Sequence, residues 1–188
     1  MSRVVGLTGG IGSGKSEALR SFARHGAATL SSDEIVRELY RRDDVRSGVA
    51  ELFGDEMLAA DGEVDRARLA AVVFADPEQR RRLEALLLPL IAEQFARWRD
   101  ARLAAGDTLL VHEAPTLFEA GIEDRYDLIV LVTAPAELRE QRRPGASERM
   151  ASQLPEEEKA ARSDEVYENT GSLEQLDRWV ADLVQRLR

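Results

Sequence analysis

A glycine-rich octapeptide near the start of the chain constrains the fold more than any other feature. Residues 9–16 read GGIGSGKS and match the pattern G-x-x-x-x-G-K-[ST] in full. An apolar run over residues 3–8 precedes the octapeptide, and a helical pattern follows it from Lys15, with Gly26 as its predicted end. A strand that turns through glycines into a helix is the setting in which this pattern binds nucleotide phosphates. The sequence therefore predicts an α/β fold with a nucleoside triphosphate at this loop.

Each residue type in the loop has a chemical reason. Glycines allow the backbone to turn tightly and to point N–H groups at phosphate oxygens. Lys15 is predicted to bridge the β- and γ-phosphates of the nucleoside triphosphate, and the Ser16 hydroxyl to bind Mg²⁺. Only Lys15 and Lys159 are lysines among 26 basic residues, which indicates that position 15 needs a compact ammonium. The predicted nucleotide-binding residues of this loop are Gly9, Gly10, Ile11, Gly12, Ser13, Gly14, Lys15, Ser16 and Glu17.

Two roles are open for Glu17. Its carboxylate either borders the phosphates or stabilises the first turn of the helix through the helix dipole.

Composition argues against several other classes of protein. The net charge of −9 is unfavourable for a broad nucleic-acid surface. The chain has no cysteine, so it forms neither disulfides nor thiolate metal sites. No uncharged run approaches the ~20 residues of a membrane helix, and the first residues lack the apolar stretch of a signal peptide. We expect a cytoplasmic protein without nucleic-acid or membrane partners, either monomeric or weakly homo-oligomeric.

Hydrophobic patterning predicts the remaining elements. Further strands are expected over residues 27–30, 108–112, 128–133 and 164–168, and a closing helix over 173–187. Residues 31–34 form a capping-box pattern that opens a helix to about Arg42. A long helix is expected to begin at Asp76 and Pro77 and to kink at Pro89. Residues 49–105 are thus predicted to form a helical insertion between the second and third strands.

Beyond the loop, the chain resembles the dephospho-coenzyme A kinase family along nearly its whole length. The resemblance is carried by the turn Asp33-Glu34-Ile35, by the pair Arg149 and Gln153, and by four longer stretches. These are LTGGIGSGKS (7–16), LFGDEMLAADGEVDRARLAAVVFADPEQRRRLEALLLPLI (52–91), APTLFEAG (114–121) and EVYENTGS (165–172). The family transfers the γ-phosphate of ATP to the ribose 3′-hydroxyl of dephospho-coenzyme A, the last step of coenzyme A biosynthesis.

The resemblance implies a P-loop NTPase three-layer α/β fold. Its parts are a five-stranded parallel sheet, a helical coenzyme-binding insertion and a short lid. Applied to this chain, it implies a single kinase domain over residues 1–188. The core then comprises residues 1–48, 106–138 and 156–188, the insertion about 49–105, and the lid about 139–155.

The resemblance also implies roles for residues outside the loop. Asp33 matches the family's acidic residue near the acceptor hydroxyl, where it orients that hydroxyl and accepts its proton; on local evidence it only favours the start of its helix. Together with Asp33, the residues Arg66, Phe74 and Glu119 match positions around the acceptor pocket.

Other matched positions face ATP. The lid contains Arg139, Arg142, Arg143 and Arg149, of which Arg142 and Arg149 are favoured as the arginines that stabilise the transferring phosphoryl group. Asn169 and Gly171 match a turn near the adenine.

Four departures from the family pattern leave alternatives open. Ser31 stands where the family usually has the first acid of Asp-x-Asp, and Leu88 replaces a histidine. Glu113 and the three residues after it stand where an acidic residue precedes Val-Pro-Leu, and the segment before Gln153 is several residues short. The alternatives are a diverged small-molecule or nucleoside-monophosphate kinase, and a catalytically weak family member that binds nucleotide.

Overall fold

A five-stranded, all-parallel sheet forms the centre of the fold. The computed structural model describes residues 2–150 and 153–188, except for the side chain of Arg149. The strands are β1 (Arg3–Thr8), β2 (Ala28–Ser31), β3 (Leu109–Glu113), β4 (Leu128–Thr133) and β5 (Glu165–Glu168), in the order β2-β3-β1-β4-β5. The predicted parallel sheet and its α/β class are therefore confirmed, with β1 as the central strand.

Two helices cover one face of this sheet. The helix α1 (Lys15–Arg24) and the last helix, Leu173–Leu187, contribute to one apolar core. This core contains Val5, Leu7, Ala18, Phe22, Leu109, Val111, Val130, Val132, Leu176, Val180, Leu183, Val184 and Leu187. The opposite face carries a smaller cluster of Ala114, Leu117, Phe118 and Ile129. Alternate residues of β4 thus pack into different apolar clusters on the two faces of the sheet, as expected for a parallel sheet buried on both sides.

The ends of α1 follow the predicted signals. Gly14 precedes the helix with a φ of 107°, and Gly26 follows it with a φ of 83°. The N–H groups of Gly26 and Ala27 donate to the carbonyl oxygens of Ala23 and Phe22, which satisfies carbonyls that the helix end would otherwise leave unpaired. The left-handed conformation at both positions is the reason that glycine is needed there.

The chain divides into two compact units, one up to Ser31 and from Ala101 onward, the other Ser32–Asp100. The second unit is helical and contains α2 (Ser32–Leu39), α3 (Asp43–Phe53), α4 (Arg66–Ala75) and most of α5 (Pro77–Ala104). In α5 the Asp76 carboxylate accepts from the N–H of Glu78 at 2.8 Å, and the helix continues through Pro89. The predicted single domain and its insertion and lid boundaries stay predictions.

One predicted helix ends early. The pattern after residue 31 predicted a helix to about Arg42, but α2 ends at Leu39 and α3 begins at Asp43. Arg42 has extended backbone (φ −78°, ψ 139°), and Asp43 and Asp44 occupy the first turn of α3. Acidic residues stabilise the start of a helix through its dipole, so they favour a new helix here over continuation of the old one.

The remaining helices belong to the first unit. They are α6 (Ala136–Arg142), α7 (Ala146–Met150), α8 (Glu156–Ala161) and α9 (Leu173–Leu187). The last of these begins with a capping box between Ser172 and Gln175. Within the described ranges, no helix is both long and apolar enough to cross a membrane.

Candidate active site

The predicted phosphate-binding loop connects β1 to α1. Gly9, Gly12 and Gly14 have φ values of 144°, 79° and 107°, which L side chains rarely adopt. A Cβ atom at Gly9 would lie 2.0 Å from the carbonyl oxygen of Val132, and one at Gly14 would lie 2.2 Å from Nδ2 of Asn169. The loop therefore needs glycine both for its backbone conformation and for its close packing.

The Lys15 side chain is buried and contacts the backbone of the loop. Its side chain is only 8% exposed, and Nζ donates to the carbonyl oxygen of Gly10 at 2.8 Å. The ammonium has three N–H donors, so it can bind a phosphate oxygen while it keeps this contact. Ser16 is exposed on the first turn of α1. The positive end of the helix dipole and a buried ammonium group thus lie side by side, as binding of a polyphosphate requires.

The end of β5 braces the loop from outside. Asn169 is 5% exposed, and its Nδ2 donates to the carbonyl oxygen of Ser13 at 2.8 Å. A Cβ atom at Gly171 would lie 1.8 Å from Oε1 of Gln175, which caps α9. Asn169 and Gly171 thus have structural roles in the first unit. Their predicted position beside the adenine stays a prediction.

Two arginines of α6 contact the loop. Arg142 donates to the carbonyl oxygens of Asn169 at 3.0 Å and Gly12 at 3.4 Å. Arg139 also packs against the loop, because a Cβ atom at Gly10 would be 2.6 Å from its Nη1. The same Nη1 is 3.0 Å from the Glu156 carboxylate.

Arg139 is not one of the two lid arginines that were favoured from the sequence. Its spacing of three residues from Arg142 places both on one side of a helix, and this spacing is the signal that could have identified it. Arg143 is exposed, and the side chain of Arg149 lies outside the described part of the chain.

Glu17 forms ion pairs with two arginines of its own helix. Its carboxylate lies 2.8 Å from Arg20 and 3.2 Å from Arg24. Arg24 also contacts Asp177, whose pKa the Ser21 hydroxyl and Arg24 hold well below its usual range. These contacts support the reading of Glu17 as a helix-stabilising acid. Its contact with ATP stays a prediction.

Glu119 forms an ion pair that the sequence did not indicate. Its Oε1 lies 2.8 Å from Nζ of Lys159 and accepts from the N–H of Leu154 at 3.0 Å. Lys159 is 1% exposed, and Nζ also donates to Oε1 of Gln153 at 3.0 Å. The two lysines of the chain are therefore both buried ammonium groups, one at the phosphate-binding loop and one in α8. The role of Glu119 toward an acceptor stays a prediction.

The other predicted acceptor residues lie in the second unit. Arg66 and Phe74 are on α4, and both line a cavity of about 420 Å³. Its remaining lining is mainly apolar and is formed by Val36, Tyr40, Ala67, Leu69, Ala70, Val73 and Leu83. Phe74 is 66% exposed, so its ring is accessible to a ligand. Asp33 is the second residue of α2, in its first turn.

Glu113 is a further residue of the candidate site. From the sequence it was noted only as part of a difference from the family pattern. It ends β3, pairs in register with Leu7 of β1, and is 4% exposed. Leu109 and Val111 share its strand face and pack in the core with α1. Since α1 begins at the carboxyl end of β1, its first residues lie at the same sheet edge as Glu113.

This arrangement suits Mg²⁺. The ion usually binds proteins through one or two carboxylates and takes its other ligands from phosphates and water. Glu113 and the Ser16 hydroxyl supply oxygen donors of the preferred type. In the described ranges, no group of three or more His, Asp or Glu residues is arranged to hold a metal. One carboxylate and one hydroxyl are a donor set that fits Mg²⁺ bound together with a nucleotide.

The fold and the loop define a class. A central parallel strand, a turn of glycines and a buried lysine at the start of the next helix are the features of a P-loop nucleotide-binding protein.

Comparison with known proteins narrows the class. The sequence model of the dephospho-CoA kinase family matches residues 3–175. The dephospho-CoA kinase of Syntrophotalea carbinolica is 43% identical, over 98% of this chain and 92% of its own length. A crystal structure from Thermus thermophilus has a TM-score of 0.82 at 35% identity and covers 100% of this chain and 98% of its own. The dephospho-CoA kinase from Campylobacter jejuni has the same fold, with a TM-score of 0.74 at 22% identity and coverage of 100% and 98%. This chain belongs to the dephospho-CoA kinase family.

Proposed function

We propose that this protein transfers the γ-phosphoryl group of ATP to the 3′-hydroxyl of dephospho-coenzyme A, giving coenzyme A and ADP. The observation that carries the proposal is the buried Lys15 ammonium, 2.8 Å from the Gly10 carbonyl oxygen at the start of α1, in a chain of this family. Phosphoryl transfer depends on positioning and on neutralisation of charge, and this loop supplies both.

The donor side lies in the first unit. The N–H groups of residues 9–14 and the start of α1 bind the β- and γ-phosphates, and Lys15 bridges them. Arg139 and Arg142 are the described lid arginines in contact with the loop, and they stabilise charge on the transferring group. Arg149 stays a prediction for the same role.

Ser16 and Glu113 are the residues that would hold Mg²⁺ at this site. The ion neutralises charge on the β- and γ-phosphate oxygens when it is bound. Ser16 contributes its hydroxyl, and Glu113 contributes the carboxylate at the end of the strand next to β1.

The acceptor side uses residues of the second unit. Asp33 orients the 3′-hydroxyl and accepts its proton, which an ordinary carboxylate within ~3 Å can do. The cavity beside Arg66 and Phe74 receives part of dephospho-coenzyme A. The exposed Phe74 ring offers a stacking surface for the adenine, and Arg66 offers a charge for a phosphate group.

The direct test incubates the purified protein with MgATP and dephospho-coenzyme A and follows both substrates by chromatography. We expect one coenzyme A and one ADP per ATP consumed. Shikimate and nucleoside monophosphates serve as competing acceptors. A preference for one of these would support the diverged-kinase alternative, and tight ATP binding without turnover would support a weak, nucleotide-binding member.

Asp33→Asn tests the acceptor side separately. The amide keeps the shape of the side chain but cannot accept a proton as a carboxylate does. We expect a fall in kcat of about 100-fold or more with unchanged ATP affinity. An unchanged kcat would remove Asp33 from the reaction.

We also propose that the protein works in the cytoplasm as a monomer or a weak homo-oligomer. Its substrates are small molecules, and its net charge of −9 disfavours nucleic acid as a partner. Sedimentation at several protein concentrations measures the oligomeric state.

A further inference from the structure

The side chains of Ser31 and Glu113 form a buried hydrogen bond at the carboxyl edge of the sheet. Ser31 ends β2, Glu113 ends β3, and the two residues are paired in register. Ser31 Oγ donates to Oε2 of Glu113 at 2.8 Å, and both residues are buried. Neighbouring residues of parallel strands point to the same face, so the contact follows from the register.

This contact has a clear physical consequence for the carboxylate. A buried carboxylate is costly unless hydrogen-bond donors compensate its charge, and a hydrogen bond to a charged group is stronger than a neutral one. The glutamate side chain has three rotatable bonds, so a donor on one oxygen also restricts its orientation. The hydroxyl adds no charge of its own. A second carboxylate at position 31 would repel Glu113 and raise the pKa of the pair.

We propose that Ser31 is a positioning residue for the metal-binding carboxylate of this kinase. It acts through Glu113, which it holds on the face of the sheet where α1 begins. The inference rests on the proposed metal role of Glu113 and goes further, because it assigns a function to the serine itself. It predicts that loss of the hydroxyl weakens the binding of Mg²⁺ and leaves the binding of metal-free nucleotide unchanged.

A purely structural role for Ser31 predicts a different result. Ser31 also lies at the start of α2, where a serine side chain can stabilise a helix end. Loss of that function would lower the free energy of unfolding and would not change the affinity for Mg²⁺. The two roles are therefore separated by a metal-binding measurement.

The experiment measures equilibrium binding of a non-hydrolysable ATP analogue to the protein, first in EDTA and then across a Mg²⁺ titration. The variants are Ser31→Ala, Ser31→Thr and Glu113→Gln, with the double variant of Ser31→Ala and Glu113→Gln. Ser21→Ala is the matched control, because Ser21 Oγ donates to the Asp177 carboxylate at 2.6 Å in a contact between α1 and α9. Unfolding in urea and kcat are recorded for each variant.

We expect Ser31→Ala to weaken the apparent Mg²⁺ affinity by about tenfold, since the hydrogen bond to a charged group is lost. Analogue binding in EDTA stays at the wild-type value. Ser31→Thr, which keeps the hydroxyl, restores most of the Mg²⁺ affinity. The double variant binds Mg²⁺ no more weakly than Glu113→Gln alone, because Ser31 acts only through Glu113. Ser21→Ala lowers stability and leaves the Mg²⁺ affinity unchanged.

Three results would overturn the inference. If Glu113→Gln weakens Mg²⁺ binding but Ser31→Ala does not, or if their effects add in the double variant, Ser31 does not position the carboxylate. If Glu113→Gln itself leaves Mg²⁺ binding unchanged, the proposed metal role of Glu113 fails and the inference fails with it. The kinase activity is measured independently with dephospho-coenzyme A, so its failure is distinguishable from both.

Discussion

Nδ2 of Asn169 donates to the carbonyl oxygen of Ser13 across 2.8 Å, and this contact joins the end of β5 to the phosphate-binding loop. Asn169 is also fixed through its backbone, because its N–H donates to Thr133 and its carbonyl oxygen accepts from Arg142. The amide approaches the loop so closely that no side chain fits at Gly14. The shape of the loop thus depends on a residue that lies far from it in the chain.

Gly14→Ala should therefore abolish tight ATP binding. The alanine would have to adopt a φ of 107°, and its Cβ atom would lie 2.2 Å from Nδ2 of Asn169. Gly62→Ala is the matched control, because Gly62 also has a positive φ, 80°, but nothing lies within 4 Å of its Cβ position. We expect the control to lose about 1–2 kcal/mol of stability, from backbone strain alone, and to bind ATP normally. ATP titrations and urea unfolding of both variants provide the measurement.

Lys15→Met should reduce kcat by at least about 100-fold, since it removes the preorganised positive charge that stabilises the transferring phosphoryl group. Lys15→Arg is the informative companion. It keeps the charge, but a planar guanidinium is larger than the ammonium that contacts Gly10 inside the loop. We expect it to restore little activity. Steady-state kinetics with both substrates test this, and full activity of the arginine variant would contradict the argument from compact charge.

Lys159→Met should destabilise the protein by about 2–4 kcal/mol. Removal of one partner from a buried ion pair leaves the other charge uncompensated, and the loss is reduced here because the Glu119 side chain is 20% exposed. The double variant of Lys159→Met and Glu119→Gln should recover part of the loss. Urea unfolding of the single and double variants gives the coupling energy between the two residues. Strictly additive losses would mean that the pair does not interact.

The free energy of unfolding should fall at acid pH because of His112. This side chain is buried against Tyr126, with Nδ1 2.8 Å from the phenol oxygen, and burial lowers its pKa from the usual 6.5 to about 4. Between these values the unfolded chain binds a proton at His112 that the folded chain does not, so stability falls as the pH falls from about 6.5 to about 4. The loss from this group reaches about 3 kcal/mol near pH 4.

His112→Gln isolates this contribution. The variant is less stable at neutral pH, because it replaces a well-packed side chain, but its stability should change less than that of the wild type between pH 6.5 and 4. Urea unfolding at several pH values measures the difference. Parallel curves for the two proteins would assign the acid sensitivity to other groups.

Much of the architecture could be predicted from local patterns. The loop at residues 9–16 was recognisable because glycine, lysine and serine stand at positions that backbone geometry dictates. The strand Leu128–Thr133 and the helix Leu173–Leu187 have the predicted bounds, since a continuous apolar run and a regular apolar period each fit one structure. The early end of α2 was missed, because acidic residues at a helix start compete with continuation of the previous helix.

The contacts that shape the candidate site were not predictable in the same way. Ser31 and Glu113, Arg139 and Gly10, and Lys159 and Glu119 are each pairs of residues distant in the chain. A polyphosphate-binding loop between a buried strand and a helix is predictable from the sequence alone, because its pattern is encoded in eight consecutive residues. The carboxylate, amide and arginines that surround the loop are identified only from the folded structure. Those neighbours depend on strand order and register, which arise from packing of the whole sheet rather than from any local pattern.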